Sequence, residues 1–320
     1  MPVTPIGNNT LTAIARRFIA PRIADTVYKS NALLYRLYAM NKVVIKGGTQ
    51  IESPVIVSRM SSGGFYQGST VLTVTPSDTV INGAWAWKQA YVPIVVDGLT
   101  EIRNGGPAEI AQYIDLMAAQ AKMEMSEILG ESLWSDGISN PLYLDGISAI
   151  VDNGTDTNVY GGISRAQYPQ WSAQVDNSTA ALTLATMQAL VGEATFGGRH
   201  PTICITTQKQ YNEYYGLNTS IQRFVAGPGG VDEQLAQAGF TNVLFNGIPL
   251  LVDSHVPAAS MQMVFLNENF LTFYVAEGRD MYVEDFQTPV NQDARVSKIL
   301  WAGNIVSNNP QTHAKFTALT

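Results

Sequence analysis

Metal, nucleophilic or phosphate chemistry in this 320-residue chain would rest on very few residues. The three histidines are His200, His255 and His313, and none has a partner at metal-ligand spacing. With Cys204 as the one cysteine, a zinc site is not supported and no internal disulfide is available. Cys204 sits in the apolar run Ile203-Cys204-Ile205, which reads as a strand carrying a buried, inert thiol. A serine nucleophile needs a Gly-x-Ser-x-Gly turn. The chain offers Gly137-Ile138-Ser139, Gly146-Ile147-Ser148 and Gly162-Ile163-Ser164, each without the closing glycine. Gly227-Pro228-Gly229-Gly230 lacks the following Lys-Ser or Lys-Thr of a phosphate loop and reads as a surface turn. Asp152-Asn153-Gly154-Thr155-Asp156-Thr157-Asn158 groups oxygen ligands, but not in EF-hand order. No catalytic, cofactor or metal residue is assigned, and no enzyme is expected.

The composition points elsewhere. Hydrophobic residues make up 46% of the chain, enough for a sizeable core. Charged residues make up only 14%, against roughly 25% in ordinary soluble domains. Either much of the surface meets other protein, or the chain is a monomer whose skin is Ser, Thr, Asn and Gln. No apolar run approaches the ~18 residues of a membrane span, and the first residues lack a basic, then greasy, leader pattern. Neither signal peptide nor membrane anchor is expected, and the lone cysteine fits assembly in a reducing cytoplasm. The net charge of −7 is uneven: residues 1–46 hold seven basic residues against Asp25 alone. A basic arm on an acidic body predicts contact with a neighbouring subunit, an acidic assembly partner or packaged nucleic acid, unless it is only a solvated helix face.

The elements follow from periodicity. Residues 1–42 read as an extended leader and a short helix, with Leu33, Leu34, Leu37 and Tyr38 at helical spacing and Arg36 off the stripe. Residues 43–97 read as a long two-stranded excursion around the glycine-rich turn zone 61–69, because Val55/Val57 and Trp85/Trp87 alternate with their neighbours. Such a ribbon is marginal alone and its edges invite pairing, so a covering neighbour is expected; folding back on its own domain is the alternative. Residues 107–134 read as a long helix: Pro107 follows Gly105-Gly106, and Ile110, Ile114, Met117, Ala121, Met125 and Ile128 recur on one face. Further helices are expected from Ser178 to Gly197-Gly198, over Gln208 to Tyr215 and over Val231 to Ala238. Thr202 to Thr206 is a buried strand, and Asn246-Gly247 predicts a tight hairpin. Val264–Leu266 and Phe270–Val275 are expected to pair, and the stretches Lys298 to Val306 and Ala314 to Leu319 close the chain as strands. The mixed order gives an α+β class.

This order resembles the tailed-phage capsid fold, the Hong Kong 97-like family. Tyr91-Val92-Pro93-Ile94-Val95-Val96-Asp97-Gly98 looks like the strand returning from that family's extended loop to its long spine helix. Phe245 to Asp253 looks like a hairpin of its apical domain, Val264 to Val275 like the next strand pair, and Lys298 to Leu319 like the closing strands of its peripheral domain. The resemblance spans nearly the whole chain and lies in order and spacing. It implies a major capsid protein of a tailed bacteriophage that assembles pentamers and hexamers of an icosahedral shell around double-stranded DNA. The implied parts are an N-terminal arm at 1–42 and an extended β-hairpin loop at 43–97. A peripheral domain would combine 98–137 with 283–320, and an apical domain would hold 138–282.

The implied partners are further copies of the chain, a separate scaffolding protein, a portal and possibly a decoration protein, with DNA touched non-specifically at most. The implied location is the virion capsid, assembled in the bacterial cytoplasm. A separate scaffold is expected because arm-like sequence follows Met1 at once. Some relatives crosslink a loop lysine to a neighbour's asparagine; between Lys46 and Lys88 this chain has only Arg59 as a basic residue, so no such crosslink is expected. Arg16, Arg17 and Arg22 on the arm, and Arg59, Phe65, Tyr66, Trp85 and Trp87 on the loop, are the expected interface residues. Ordinary packing within the chain is the competing reading for the tryptophans. The rivals to a capsid protein are an encapsulin shell, a tail or decoration component, and, remotely, a serine hydrolase.

Overall fold

The computed structural model describes residues 31–58, 60, 63–72, 79–99, 107–217, 243–259 and 261–319. In chain order the strands are β1 (Val43–Lys46), β2 (Ile51–Ile56), β3 (Val80–Trp85), β4 (Lys88–Asp97), β5 (Val159–Tyr160), β6 (Ile163–Ser164), β7 (Gln174–Asp176), β8 (Ile203–Thr206), β9 (Val243–Phe245), β10 (Ile248–Val252), β11 (Met263–Leu266), β12 (Leu271–Ala276), β13 (Tyr282–Val283), β14 (Ala294–Ser307) and β15 (Ala314–Phe316). The helices are α1 (Ala32–Ala39), α2 (Pro107–Leu133), α3 (Ile147–Ile150), α4 (Leu184–Glu193) and α5 (Gln208–Leu217). Arg16, Arg17, Arg22 and Arg59, the turn at 227–230 and the helix expected over Val231 to Ala238 lie outside the described residues.

Two sheets share the strands. One runs β1-β12-β14-β13, with β4 also paired to β14 over ten residue pairs, Asp97↔Ala294 to Lys88↔Gly303. β4 alternates between covered and open residues: Val92, Ile94 and Val96 are buried while Tyr91, Pro93 and Val95 are exposed. The helix α2 lies against β4. Its stripe of Ile114, Ala118, Ala121, Met125, Leu129 and Leu133 is buried in the main core, as the spacing requires. The sequence analysis expected Met117 and Ile128 on that stripe, and they are partly buried against it.

The second sheet runs β7-β15-β11-β8-β10-β9. Its central strands are buried on both faces, which explains runs of apolar residues with no alternation. Ile203 and Ile205 of β8 face the main core, while Cys204 between them faces a second cluster with Met187, Leu190, Val191, Tyr214 and Phe265. Asn246 and Gly247 connect β9 to β10 with φ of 49° and 80°, the left-handed pair a two-residue hairpin needs.

Three expectations change. β11 and β12 do not pair with each other: β11 lies between β8 and β15, β12 between β1 and β14. A single 3-10 turn, Glu268–Phe270, carries the chain from one sheet to the other, and the Asn267 side chain caps it by accepting from Asn269 N at 3.1 Å. The helix expected from Ser178 starts at Leu184 and ends at Glu193. Ser178 is held instead in a turn by Asp176 Oδ1, which accepts from its N and Oγ at 2.9 and 2.6 Å. Thr183 provides the cap through a reciprocal box with Thr186. Finally, α1 is built into the body. Leu33, Leu34 and Leu37 are buried in the main core, and Arg36, read as lying off the stripe, is buried as well.

Candidate assembly surfaces

The ribbon of β2 and β3 has two unlike faces. Ile51↔Trp85 to Ile56↔Val80 sets the register. Ile51, Ser53, Val55, Gly83 and Trp85 turn inward, and Ile56 and Val80 stay exposed. Trp85 is only 3% exposed. Its indole packs edge-on against Tyr160 at 5.6 Å, and Gly83 and Gly161 approach so closely that a Cβ on either would lie 2.5 Å from the ring. Ala84 N donates to Gly161 O at 3.0 Å, and the Gln170 amide donates to Val57 O. The ring face of Trp85 is therefore covered by its own chain, the ordinary packing weighed as the alternative. Trp87 is half-covered and donates from Nε1 to Gly48 O at 2.9 Å, which pins the turn between β1 and β2.

Farther out, the ribbon is bare. Phe65 is entirely exposed, and Tyr66, Met60, Val71, Leu72, Ile56 and Val80 are exposed with it. Ile56, Ser58, Met60, Thr79 and Val80 line an open depression at the outer end of the paired strands. Phe65 and Tyr66 were singled out from sequence; the others were not, because isolated aliphatics between polar residues carry no distinctive signal. A second open apolar area lies on the outer face of β4, β13 and β14, where Tyr91, Val95 and Tyr282 are exposed.

The body beneath is held by buried ions. Asp152 accepts from Gly154 N at 2.8 Å, Thr157 N at 3.0 Å and Arg165 Nη1 at 3.4 Å, with Lys315 Nζ 3.9 Å away. Arg165 also donates to the carbonyls of Thr157, Ala149, Ile150 and Trp171. Burial pulls the pKa of both Arg165 and Lys315 down, while Asp152 opposes the shift. The oxygen-rich loop read from sequence is thus a cation-binding loop whose cations are the chain's own side chains. Arg36 Nη2 donates to Glu268 Oε2 at 2.9 Å, and Thr202 Oγ1 donates to the same oxygen at 2.6 Å. Lys88 reaches Asp145 at 3.3 Å, and Asn304 donates to that carboxylate at 2.8 Å, locking β4 and β14 to the loop after α2.

The candidate chemical residues are placed in the scaffold. His313 is fully buried between Asn267 N and Ser307 Oγ, and burial pushes its pKa down to about 3. Cys204 is buried, and desolvation raises its thiol pKa. Ser139 Oγ donates to Asp136 and Ser148 Oγ to the carbonyl of Trp134. His255 bridges Asp253 Oδ1 at 2.8 Å and Glu127 Oε2 at 3.1 Å. Burial pushes its pKa down, but the two carboxylates prevail and raise it. Asp253 Oδ2 also accepts from Asn31 Nδ2 at 2.6 Å and Trp134 Nε1 at 3.2 Å, so the start of α1, the end of α2 and the turn after β10 meet at one node. Among the described residues no group of three or more His, Cys, Asp or Glu is placed to hold a metal. No described helix is long and apolar enough to cross a membrane.

No family model and no curated protein matches the sequence. Solved structures do match the fold. A chain of the cyanophage A-1(L) capsid asymmetric unit superposes with a TM-score of 0.69 at 16% identity, over 88% of this chain and 90% of that one. A chain of the capsid of a native GTA particle gives 0.60 at 11% identity, over 89% and 90%. A chain of the satellite phage P4 procapsid that includes the size determination (Sid) protein gives 0.52 at 12% identity, over 98% and 96%. The mixed α+β architecture of this chain is therefore the fold found in phage capsid shells.

Proposed function

We propose that this chain is a major capsid protein, a structural subunit that builds a closed icosahedral shell from pentamers and hexamers around phage double-stranded DNA. The observation that carries this reading is the fold match to capsid chains over nearly their whole length and nearly the whole of this one. The bare apolar ribbon supports it, because a contiguous exposed apolar surface marks a site that another protein covers. In this reading residues 43–97 are the extended loop that reaches across a neighbouring subunit, with Phe65 and Tyr66 as anchors near its tip. Helix α2 is the spine of a peripheral domain formed by 98–137 and 283–320. Residues 138–282 form the apical domain that meets its copies at the capsomer centre. The arm, 1–42, with Arg16, Arg17 and Arg22, contacts neighbours, and Arg59 serves the loop interface. A separate scaffolding protein directs assembly, a portal occupies one vertex, and the location is the virion capsid, formed in the bacterial cytoplasm.

The protein acts by geometry and avidity: many weak contacts made together close a shell that no single one would hold. The test is negative-stain electron microscopy of the heaviest sedimenting fraction after expression of the chain with its neighbouring scaffold gene. Closed polyhedra, or five- and six-fold capsomers, are expected. A persistent monomer under co-expression overturns the reading.

A further inference from the structure

The described methionines divide by burial. Met125, Met187, Met261, Met263 and Met281 are at most 1% exposed, and Met40 and Met117 are half-buried. Met60 and Met123 stand open to solvent, 76% and 75% exposed. A thioether is oxidised where an oxidant reaches its sulfur, so the fold shields the first group and leaves the last two accessible. Those two differ in setting. Met123 lies on the outer side of α2, where its neighbours three and four positions away are Ala119, Gln120, Ser126 and Glu127. Met60 lines the open depression of the ribbon with Ile56 and Val80, which face each other across β2 and β3 and are both exposed. Met60 therefore extends an apolar patch, for which a flexible thioether is well suited.

Oxidation reverses that suitability. A lone pair on the Met60 sulfur attacks one oxygen of hydrogen peroxide, and the O–O bond breaks. The departing hydroxide takes the proton from the new S–OH group and leaves as water. The thioether is oxidised to a sulfoxide and the peroxide is reduced. A weak acceptor becomes a polar group with a strong one. In the free chain water hydrates the new oxygen. Under a covering surface it loses that water, and Ile56 and Val80 offer it no donor. A buried acceptor left without a donor weakens a contact by at least about five-fold.

We propose that Met60 is a site of reversible oxidation by peroxide, an inference that rests on the shell reading, in which a neighbouring copy covers the ribbon. Its sulfoxide holds subunits apart, and assembly protects its thioether. The two effects have one cause. A neighbour that covers Met60 binds the thioether form more tightly than the sulfoxide, and the same cover denies peroxide access to the sulfur. Enzymatic reduction of the sulfoxide restores the thioether and with it the contact surface.

The test treats the unassembled full-length chain with hydrogen peroxide, removes the peroxide, and then allows assembly with the scaffold protein. The parent chain, Met60→Leu and Met123→Leu are compared, and peptide mass spectrometry locates the added oxygen. Met60 is expected to gain oxygen before the buried methionines do. Shell yield is expected to fall by at least the factor above in the parent and in Met123→Leu, and to hold in Met60→Leu. Methionine sulfoxide reductases acting on both sulfoxide epimers are expected to restore the parent yield. In finished shells Met60 is expected to oxidise more slowly than in the free chain. An unchanged yield from parent chain carrying Met60 sulfoxide would overturn the proposal, as would an equal loss in Met60→Leu. Equal oxidation rates in shells and free chain would overturn it too, and that comparison decides alone if Met60→Leu does not assemble. Untreated parent that forms no shells or capsomers overturns the shell reading and the proposal with it, whereas failure of the peroxide arms alone overturns only the proposal.

Discussion

The interior around Asp152 and the ribbon of β2 and β3 invert the usual distribution of side chains. At the first, Asp152, Arg165 and Lys315 are charged and buried, and the chain supplies their partners. At the second, Ile56, Met60, Phe65, Tyr66, Val71, Leu72 and Val80 are apolar and exposed, and the chain leaves them uncovered. A buried ion cluster stabilises only if every member keeps its partners. An exposed apolar surface contributes nothing to the folding of the chain that carries it, and is stabilised when another surface covers it. The contrast separates residues that keep the chain folded from residues that only another surface can cover. It also shows why Trp85 and Phe65, on the same excursion, differ. Trp85 sits where the ribbon leaves the body and is packed by Tyr160 and Gly161, whereas Phe65 lies beyond any covering element.

Removing one member of the ion cluster tests the first half most severely. Asp152→Ala leaves Arg165 and Lys315 buried without their counter-ion and strands the N–H groups of Gly154 and Thr157. A loss of about 3–5 kcal/mol is expected in urea unfolding of the unassembled chain. Asp152→Asn keeps acceptors for those N–H groups and is expected to lose less. A loss below about 1 kcal/mol for the alanine variant would mean that water reaches the cluster, and the contrast with the ribbon would fail.

Two histidines sharpen the comparison through pH, because burial lowers the pKa of one while two carboxylates raise that of the other. His313 has a folded pKa of about 3, depressed by burial from its ordinary 6.5. The unfolded chain therefore binds a proton that the folded chain refuses, and stability falls as pH drops from 6.5 towards about 3. The slope from this residue approaches about 1.4 kcal/mol per pH unit. His255 goes the other way: burial lowers its pKa, but the bonds to Asp253 and Glu127 raise it above 6.5 on balance. Its contribution is complete below the unfolded pKa and is lost as pH rises through the folded one, since only the imidazolium donates from both ring nitrogens. Unfolding midpoints across pH for His313→Gln and for Glu127→Gln are the check. The first is expected to flatten the acid limb, and the second to remove a smaller alkaline loss. A Glu127→Gln profile identical in shape to that of the parent chain would show that Glu127 does not raise the His255 pKa.

Sequence alone located what local chemistry controls. The Gly105-Gly106-Pro107 start and one-sided stripe marked α2, and Asn246-Gly247 marked the hairpin whose left-handed φ values the structure contains. The alternation around Val55 and Trp85 marked the ribbon. What stayed hidden depends on distant partners. Arg36 read as lying off the apolar stripe, and Arg165 and Lys315 drew no reading, since nothing adjacent in sequence announces Glu268 or Asp152. The crossing between sheets at Glu268–Phe270 looked like a hairpin turn because Asn267-Glu268-Asn269 has turn chemistry either way. The Asp152 loop was seen as rich in oxygen ligands, but its cations come from thirteen and 163 positions away in the chain. Which aromatics stay exposed was the least legible, because whether an aromatic is covered by its own chain is decided by packing.

The smallest expected change in stability comes from the ribbon, and it is the one that bears on function. Ile56→Ser and Phe65→Ser remove apolar groups that touch little in the folded chain. Each is expected to shift unfolding by no more than about 0.5 kcal/mol. If neighbours cover this surface, every subunit loses the same contact, and a modest loss per contact is multiplied over all the contacts that close a shell. The double variant is therefore expected to fold normally and to accumulate as unassembled subunits or capsomers in sedimentation. Asp152→Ala, by contrast, lowers assembly only in proportion to the folded subunit that remains. Shells formed at the parent yield by the double variant would show that the ribbon's apolar face is not the connecting surface. In that case the open face of β4, β13 and β14, with Tyr91, Val95 and Tyr282, becomes the surface to test.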